Sequence, residues 1–266
     1  MLDYRKGKER YIPNGLGSLY VDKSKINSNE RPVIYIGGQM EHRCHVMEQT
    51  GKTFDPGHNM FAGNWFYDYS IFSRNKGEIN GENFSRNLIE SLTMAKLSDV
   101  DLITHSFGGI IGSLASKSDR IHKVYAVHPP ITGTPLANPK YIEEYKRLLN
   151  KKEKLLLKVL KVLVNTNYGF EHDNYNGVDL RKIDLNKLVV IGSSLDPSVE
   201  KGFVLDLYNM VKKVTGLEND GVVTYSVELL NELGINYVTE NVKNNHFNSG
   251  TEEAFNSAYQ ISRTMK

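Results

Sequence analysis

Ser106 stands in Thr104-His-Ser-Phe-Gly-Gly109, just after Val100, Leu102 and Ile103 and before small and aliphatic residues at 110–116. A serine hydroxyl is a weak nucleophile at neutral pH. It becomes a useful one when an imidazole takes its proton and a carboxylate orients that imidazole. A strand turning abruptly into a helix, with the serine at the corner, exposes Oγ, and small neighbours let strand and helix approach. The pattern departs from G-x-S-x-G in one place, because Thr104 occupies the first glycine position. The rest of the chain must therefore supply a base and an acid in a compatible order.

Of the eight histidines, only His172 and His246 lie well beyond the strand expected at 123–128. Only His246 follows a last strand candidate, at 234–242, and it sits in the polar loop Lys243-Asn-Asn-His-Phe-Asn-Ser-Gly250. His246 is thus the expected base. Two aspartates compete to orient it. Asp196 directly follows the strand at 185–192, whereas Asp220, in Glu218-Asn-Asp-Gly-Val-Val223, is followed by a helix at 224–233, the last strand and then His246. That succession closes a parallel sheet, so Asp220 is preferred and Asp196 is the alternative; either could instead cap a turn. Acyl transfer also needs N–H donors aimed at a developing oxyanion. Phe107, after the corner, supplies one, and Gln39, in Gly37-Gly-Gln-Met40, the other, with Gly38 and Met40 at the pocket.

The elements that must hold these residues alternate along the chain. Residues 31–38 form a nearly continuous apolar run ending in two glycines, as in a strand buried on both faces. The chain before it offers little. Residues 64–70 give a second strand, and residues 80–97 a helix with Phe84, Leu88, Leu92 and Leu97 on one face. Then come the serine strand and its helix, strands at 123–128 and 185–192, and a helix at 199–214. This order predicts an α/β fold: one domain over residues 1–266, with a mostly parallel central sheet, helices on both faces, and ligands at the carboxyl ends of the strands. His128, at such an end, belongs either to the pocket or among satisfied core histidines.

Residues 140–165 read as the longest helix, with an apolar stripe from Tyr145 to Leu163 and eight Lys/Arg against three Glu. The plain reading is a surface helix with solvated lysines. The sharper one is a helical cap or lid, inserted at 138–180, whose basic face could touch anionic lipid. In the chain as a whole, 33 Lys and Arg nearly balance 31 Asp and Glu, for a net charge of +2. General nucleic-acid binding is therefore not expected, and Trp65, Phe66, Tyr67 and Tyr69 read as core and pocket wall. The single cysteine, Cys44, excludes an intramolecular disulfide framework. The basic segment before Pro13 cannot act as a secretory signal, so the chain reads as cytoplasmic unless a leader was removed. His42, Cys44 and His45, even with His58, fit no standard zinc spacing, so neither metal nor cofactor is expected. Oligomeric state is left open.

Taken together, these residues resemble the α/β-hydrolase superfamily, and in particular its lipase-like serine hydrolases, from Pro32 onward. Thr104-His-Ser-Phe-Gly-Gly109 is similar to the lipase elbow, in which a histidine commonly precedes the serine. Asn219-Asp-Gly-Val-Val223 is similar to the lipase acid motif, and Ile131-Thr-Gly-Thr-Pro-Leu-Ala137 to the segment after the strand that follows the elbow. The resemblance implies Ser106 as nucleophile, Asp220 as acid and His246 as base, with cleavage of small-molecule or lipid carboxylic esters through an acyl-enzyme. The same machinery could act on a thioester or amide. A different class of reading is a catalytically idle hydrolase fold that binds lipid or a partner through the basic helix.

Overall fold

A computed structural model describes residues 9–14, 16–21, 31–38, 65–69, 80–137, 178–224, 226–239, 246 and 252–264. Within these residues, eight strands form a single sheet: β1 (Glu9–Tyr11), β2 (Gly17–Val21), β3 (Val33–Ile36), β4 (Trp65–Tyr69), β5 (Val100–His105), β6 (Ile121–Val127), β7 (Leu188–Gly192) and β8 (Asn236–Thr239). Their spatial order is β1-β2-β4-β3-β5-β6-β7-β8. The run from β4 to β8 is parallel, and β1 and β2 close one edge in antiparallel pairing. This is the mostly parallel sheet expected from the element order.

The edge pair β1 and β2 is the main addition to that expectation. β1 has only three residues, and β2 contains the brief apolar run Leu19-Tyr20-Val21, too short for a periodic pattern to register. Pairing, rather than composition, makes them strands: Leu19 lies opposite Tyr67 of β4 and is fully buried.

Among the described residues, five helices flank the sheet: α1 (Gly81–Met94), α2 (Phe107–Ala115), α3 (Phe203–Thr215), α4 (Val227–Glu232) and α5 (Glu252–Thr264). α1 starts where Asn80 Oδ1 accepts the Asn83 N–H at 2.8 Å, a side-chain cap for an otherwise orphaned donor. It ends at Met94, before residue 97, because Lys96 takes a left-handed φ of 56°. Phe84, Leu88 and Leu92, one helical turn apart, are completely buried in one core cluster with Ile34, Ile36, Leu102 and Val124 of the sheet. Each such side chain contributes about 1.5–3 kcal/mol by leaving water. The opposite face carries a second cluster, with Ile103, Tyr125, Val127 and Ile191 beneath Ala258 of α5.

Other expected bounds contract for local reasons. The expected helix at 199–214 begins only at Phe203, after Gly202 at φ 61°, and the one at 224–233 begins after Ser226, whose Oγ accepts the Leu229 N–H. Residues 185–187, expected in a strand, form a 3-10 turn capped by Asp184. The expected cap at 138–180 falls outside the described residues except for residues 178–180. No helix among the described residues is long and apolar enough to cross a membrane.

The second face holds an unusual group. Asp101 of β5 is 1% exposed, and its Oδ1 has no hydrogen-bond partner among the described residues. Its other oxygen has Arg31 at 3.7 Å. Burial outweighs Arg31 and Arg263 and raises the carboxyl from 3.8 to about 6. A group whose folded pKa is raised stabilises the fold fully below its unfolded value and loses that contribution as pH rises through the folded one. At about 1.4 kcal/mol per pH unit, ionised Asp101 thus costs roughly 3 kcal/mol above neutrality. Asp101→Asn is expected to gain stability relative to wild type as pH rises from about 4 to 8. Urea melts across that range check this, and a difference that does not change with pH would contradict it.

Candidate active site

β5 delivers the site to the carboxyl end of the sheet. His105 is its last residue and Phe107 the first of α2, so Ser106 alone makes the corner, at φ 50° and ψ −122°. A non-glycine residue in that region is strained by about 1–3 kcal/mol, and such strain persists only where its surroundings impose it. Here the Ser106 N–H donates to the Val127 carbonyl at 3.0 Å, and the Ser106 carbonyl accepts the Gly109 N–H at 2.8 Å.

Close packing explains the residues around the corner. A Cβ on Gly108 would lie 2.4 Å from both the Ile36 and Gly37 carbonyl oxygens, so α2 abuts the end of β3 with backbone against backbone. This contact puts the Gly37-Gly38 segment beside the corner. Thr104, in place of the usual first glycine, is fully buried, and its Cγ2 would lie 2.8 Å from a Cβ on Gly112. The bulk added on the strand is thus matched by a glycine six residues beyond the corner. Because neither carbonyl facing Gly108 belongs to a flexible side chain, Gly108→Ala is expected to cost more than about 3 kcal/mol. Chemical denaturation checks this, and a variant as stable as wild type would contradict the contact.

Asp220 and His246 come to Ser106 from the other end of the chain. Leu195, beyond β7, donates its N–H to the Asn219 carbonyl, and His246 donates its own to the Asp220 carbonyl at 2.8 Å. Asn219 Oδ1 accepts the Gly221 N–H, while Asp220 Oδ1 accepts those of Val222 and Val223 at 2.8 and 2.6 Å. Thr134 Oγ1 donates to the Val222 carbonyl, which ties the 131–137 segment to this turn. His105 Nε2 lies 3.1 Å from the His246 carbonyl oxygen, which can only accept, so that ring nitrogen carries a proton and anchors the histidine backbone.

The side chains then form a chain of contacts. His246 Nε2 is 2.8 Å from Ser106 Oγ, and His246 Nδ1 is 2.8 Å from Asp220 Oδ2. His128 Nδ1 is 2.6 Å from the same oxygen. Asp220 and His128 are wholly buried and His246 nearly so. Burial would raise the Asp220 carboxyl, but His246 and His128 outweigh it and hold the group well below the usual carboxylate range. An ionised carboxylate only accepts, so both Nδ1 atoms donate to it, and His246 Nε2 keeps its lone pair toward Ser106 Oγ. Burial lowers the His246 imidazole below its ordinary 6.5, reinforced by His105 and His128 and opposed by Asp220. The ring is therefore neutral, and basic at Nε2, around pH 7.

The expected residues fall into three groups. Ser106, Asp220 and His246 are brought together. Asp196 is not at His246; its Oδ1 accepts the N–H and the hydroxyl of Ser198, capping the turn after β7. His128 has no exposure and its Nδ1 lies on Asp220, as a satisfied core histidine would. Gly38 is buried beyond β3, while Gln39, Met40, His42, Cys44, His45, His58 and the basic helix at 140–165 lie outside the described residues. Sequence reading did not foresee the His128–Asp220 bond or the His105 anchor. The position of His128 at a strand end was visible, but its partner lies 92 residues away.

His128, Asp220 and His246 also place three potential ligand atoms within 4.8 Å of one another. A metal ion bound at about 2.0–2.2 Å to each would stand between nitrogen and oxygen. The observed 2.6 and 2.8 Å separations are those of hydrogen bonds.

No family model matches the sequence, and no curated protein matches it by sequence. Solved structures match it in three dimensions. A Burkholderia cenocepacia protein described as a candidate aryl esterase superposes with a TM-score of 0.54 at 14% identity, covering 96% of this chain and 98% of its own. The mature form of a Bacillus licheniformis lipase gives 0.54 at 17% identity, with 90% and 94% covered. An epoxide hydrolase of the α/β-hydrolase superfamily, from metagenomes of hot environments, gives 0.50 at 12%, with 97% and 99% covered. With the sheet order, the flanking helices and the serine corner after β5, these likenesses establish that the chain has the α/β-hydrolase fold.

Proposed function

We propose that this protein is a serine hydrolase that cleaves carboxylic esters through an acyl-enzyme. The observation that carries the reading is the relay from Ser106 Oγ to His246 Nε2, and from His246 Nδ1 to Asp220 Oδ2, with both contacts at 2.8 Å. The esterase and lipase among the structures of like fold support it. Ser106 Oγ attacks the ester carbonyl carbon as His246 Nε2 takes its proton, and Asp220 stabilises the imidazolium that forms. The oxyanion is received by N–H groups of Phe107, at the positive N-terminal end of α2, and of Gln39. His246 returns the proton to the leaving alcohol, and water then repeats the cycle to release the acid. The same relay would serve a thioester or amide. A cap at 138–180 would shape the acyl pocket.

Hydrolysis of p-nitrophenyl esters from acetyl to palmitoyl tests the reading, with an acyl thioester and an anilide alongside. Turnover of esters is expected. An optimum at acetyl or butyryl marks an esterase, and one at long chains a lipase. Turnover of the thioester or anilide without any ester would overturn the substrate class.

A further inference from the structure

Asp220 meets two histidines, and the proposed reaction uses only one. Its carboxylate offers about four lone-pair positions. Val222 and Val223 take the two on Oδ1, while His246 and His128 take the two on Oδ2. We infer that His128 is a positioning residue: its Nδ1–H fixes the plane of the Asp220 carboxylate and shares the oxygen that orients His246.

The inference rests on the serine-hydrolase reading of the site. His128 lies just past β6 at φ 48°, and its N–H donates to the Ile191 carbonyl of β7 at 2.8 Å. The ring is thus set by the sheet itself, independently of the loops that carry Asp220 and His246. It stands edge-on to His246, with ring centroids 6.2 Å apart. A hydrogen bond from His128 draws negative charge away from Oδ2, leaving less to stabilise a protonated His246. Removing that donor should pin the carboxylate less firmly and make His246 more basic. Among the described residues, the titratable groups against His246 are His105 from β5, Asp220 from the turn before α4, and His128 from the end of β6.

The test compares His128→Leu, which removes the donor, with His128→Asn, which keeps an N–H donor near the Nδ1 position. Ester hydrolysis is followed from about pH 5 to 9, with melting curves to confirm folding. His128→Leu is expected to lower kcat by about tenfold or more while KM stays within about twofold. The acid limb of its pH profile should also move to higher pH by at least a few tenths of a unit. His128→Asn should restore both kcat and the limb. A limb that stays in place in the Leu variant, or an Asn variant that fails as badly as Leu, would overturn the inference, because a purely structural role lowers stability without moving the limb. If the Leu variant does not fold, the histidine ¹⁵N spectrum of wild type decides: Nδ1–H tautomers at both His128 and His246 are expected, and an Nε2–H tautomer at His128 would overturn the inference. Failure of wild type to hydrolyse any ester counts against the reading of the site, whereas the tautomer spectrum reports on His128 alone.

Discussion

Alanine at Ser106, alanine at His246 and both together are expected to lower kcat on a p-nitrophenyl ester by the same factor, on the order of 10⁴ to 10⁶. Groups that act as a unit lose their effect together. Without Ser106 there is no bond to form, and without His246 the hydroxyl keeps its proton, so the second substitution removes nothing further. Additive losses would mean that the two side chains act separately, despite the 2.8 Å between Oγ and Nε2. The corner supplies an independent readout. Alanine at 106 inherits φ 50°, whereas glycine adopts it freely. Ser106→Gly should therefore be inactive, like the alanine variant, yet more stable than it by about 1 kcal/mol.

Asp220→Asn is expected to cost on the order of 10⁴ in kcat, and Asp196→Asn less than about threefold. The asymmetry follows from where the two carboxylates sit. Asp220 is buried, and its Oδ2 accepts a hydrogen bond from each of two imidazoles. An amide there can present its NH₂ to a histidine only by forcing that ring into the other tautomer, which leaves Nε2 protonated and unable to accept from Ser106. Asp196 is only partly buried and serves Ser198. Steady-state kinetics on both variants, with melting curves, checks the pair. Equal losses, or a larger loss at Asp196, would contradict the assignment of the acid.

The sequence made the order of the site legible because order is a property of the chain. A glycine-ended strand, a serine corner, an acid turn and a histidine loop occur in a succession that a parallel sheet brings to one edge. The preference for Asp220 over Asp196 came from the helix and strand that follow it, which are α4 and β8. What stayed hidden depends on pairing across the sheet. β1 and β2 carry too few apolar residues to announce themselves. His128 looked like any strand-end histidine until β6 was laid beside β7 and the acid turn came to rest on its ring. The compensation of Thr104 by Gly112 was equally invisible, since seven residues of strand end, turn and helix separate two positions that meet side to side.

The central claim is that Ser106 is a nucleophile activated by His246, and covalent labelling tests it most directly. Native protein treated with a fluorophosphonate probe should gain one adduct, mapped by peptide mass spectrometry to Ser106. His246→Ala should slow the labelling sharply, and prior heat denaturation should abolish it. A folded wild-type protein that takes up no probe, or takes it up at another residue with Ser106 untouched, would contradict the account.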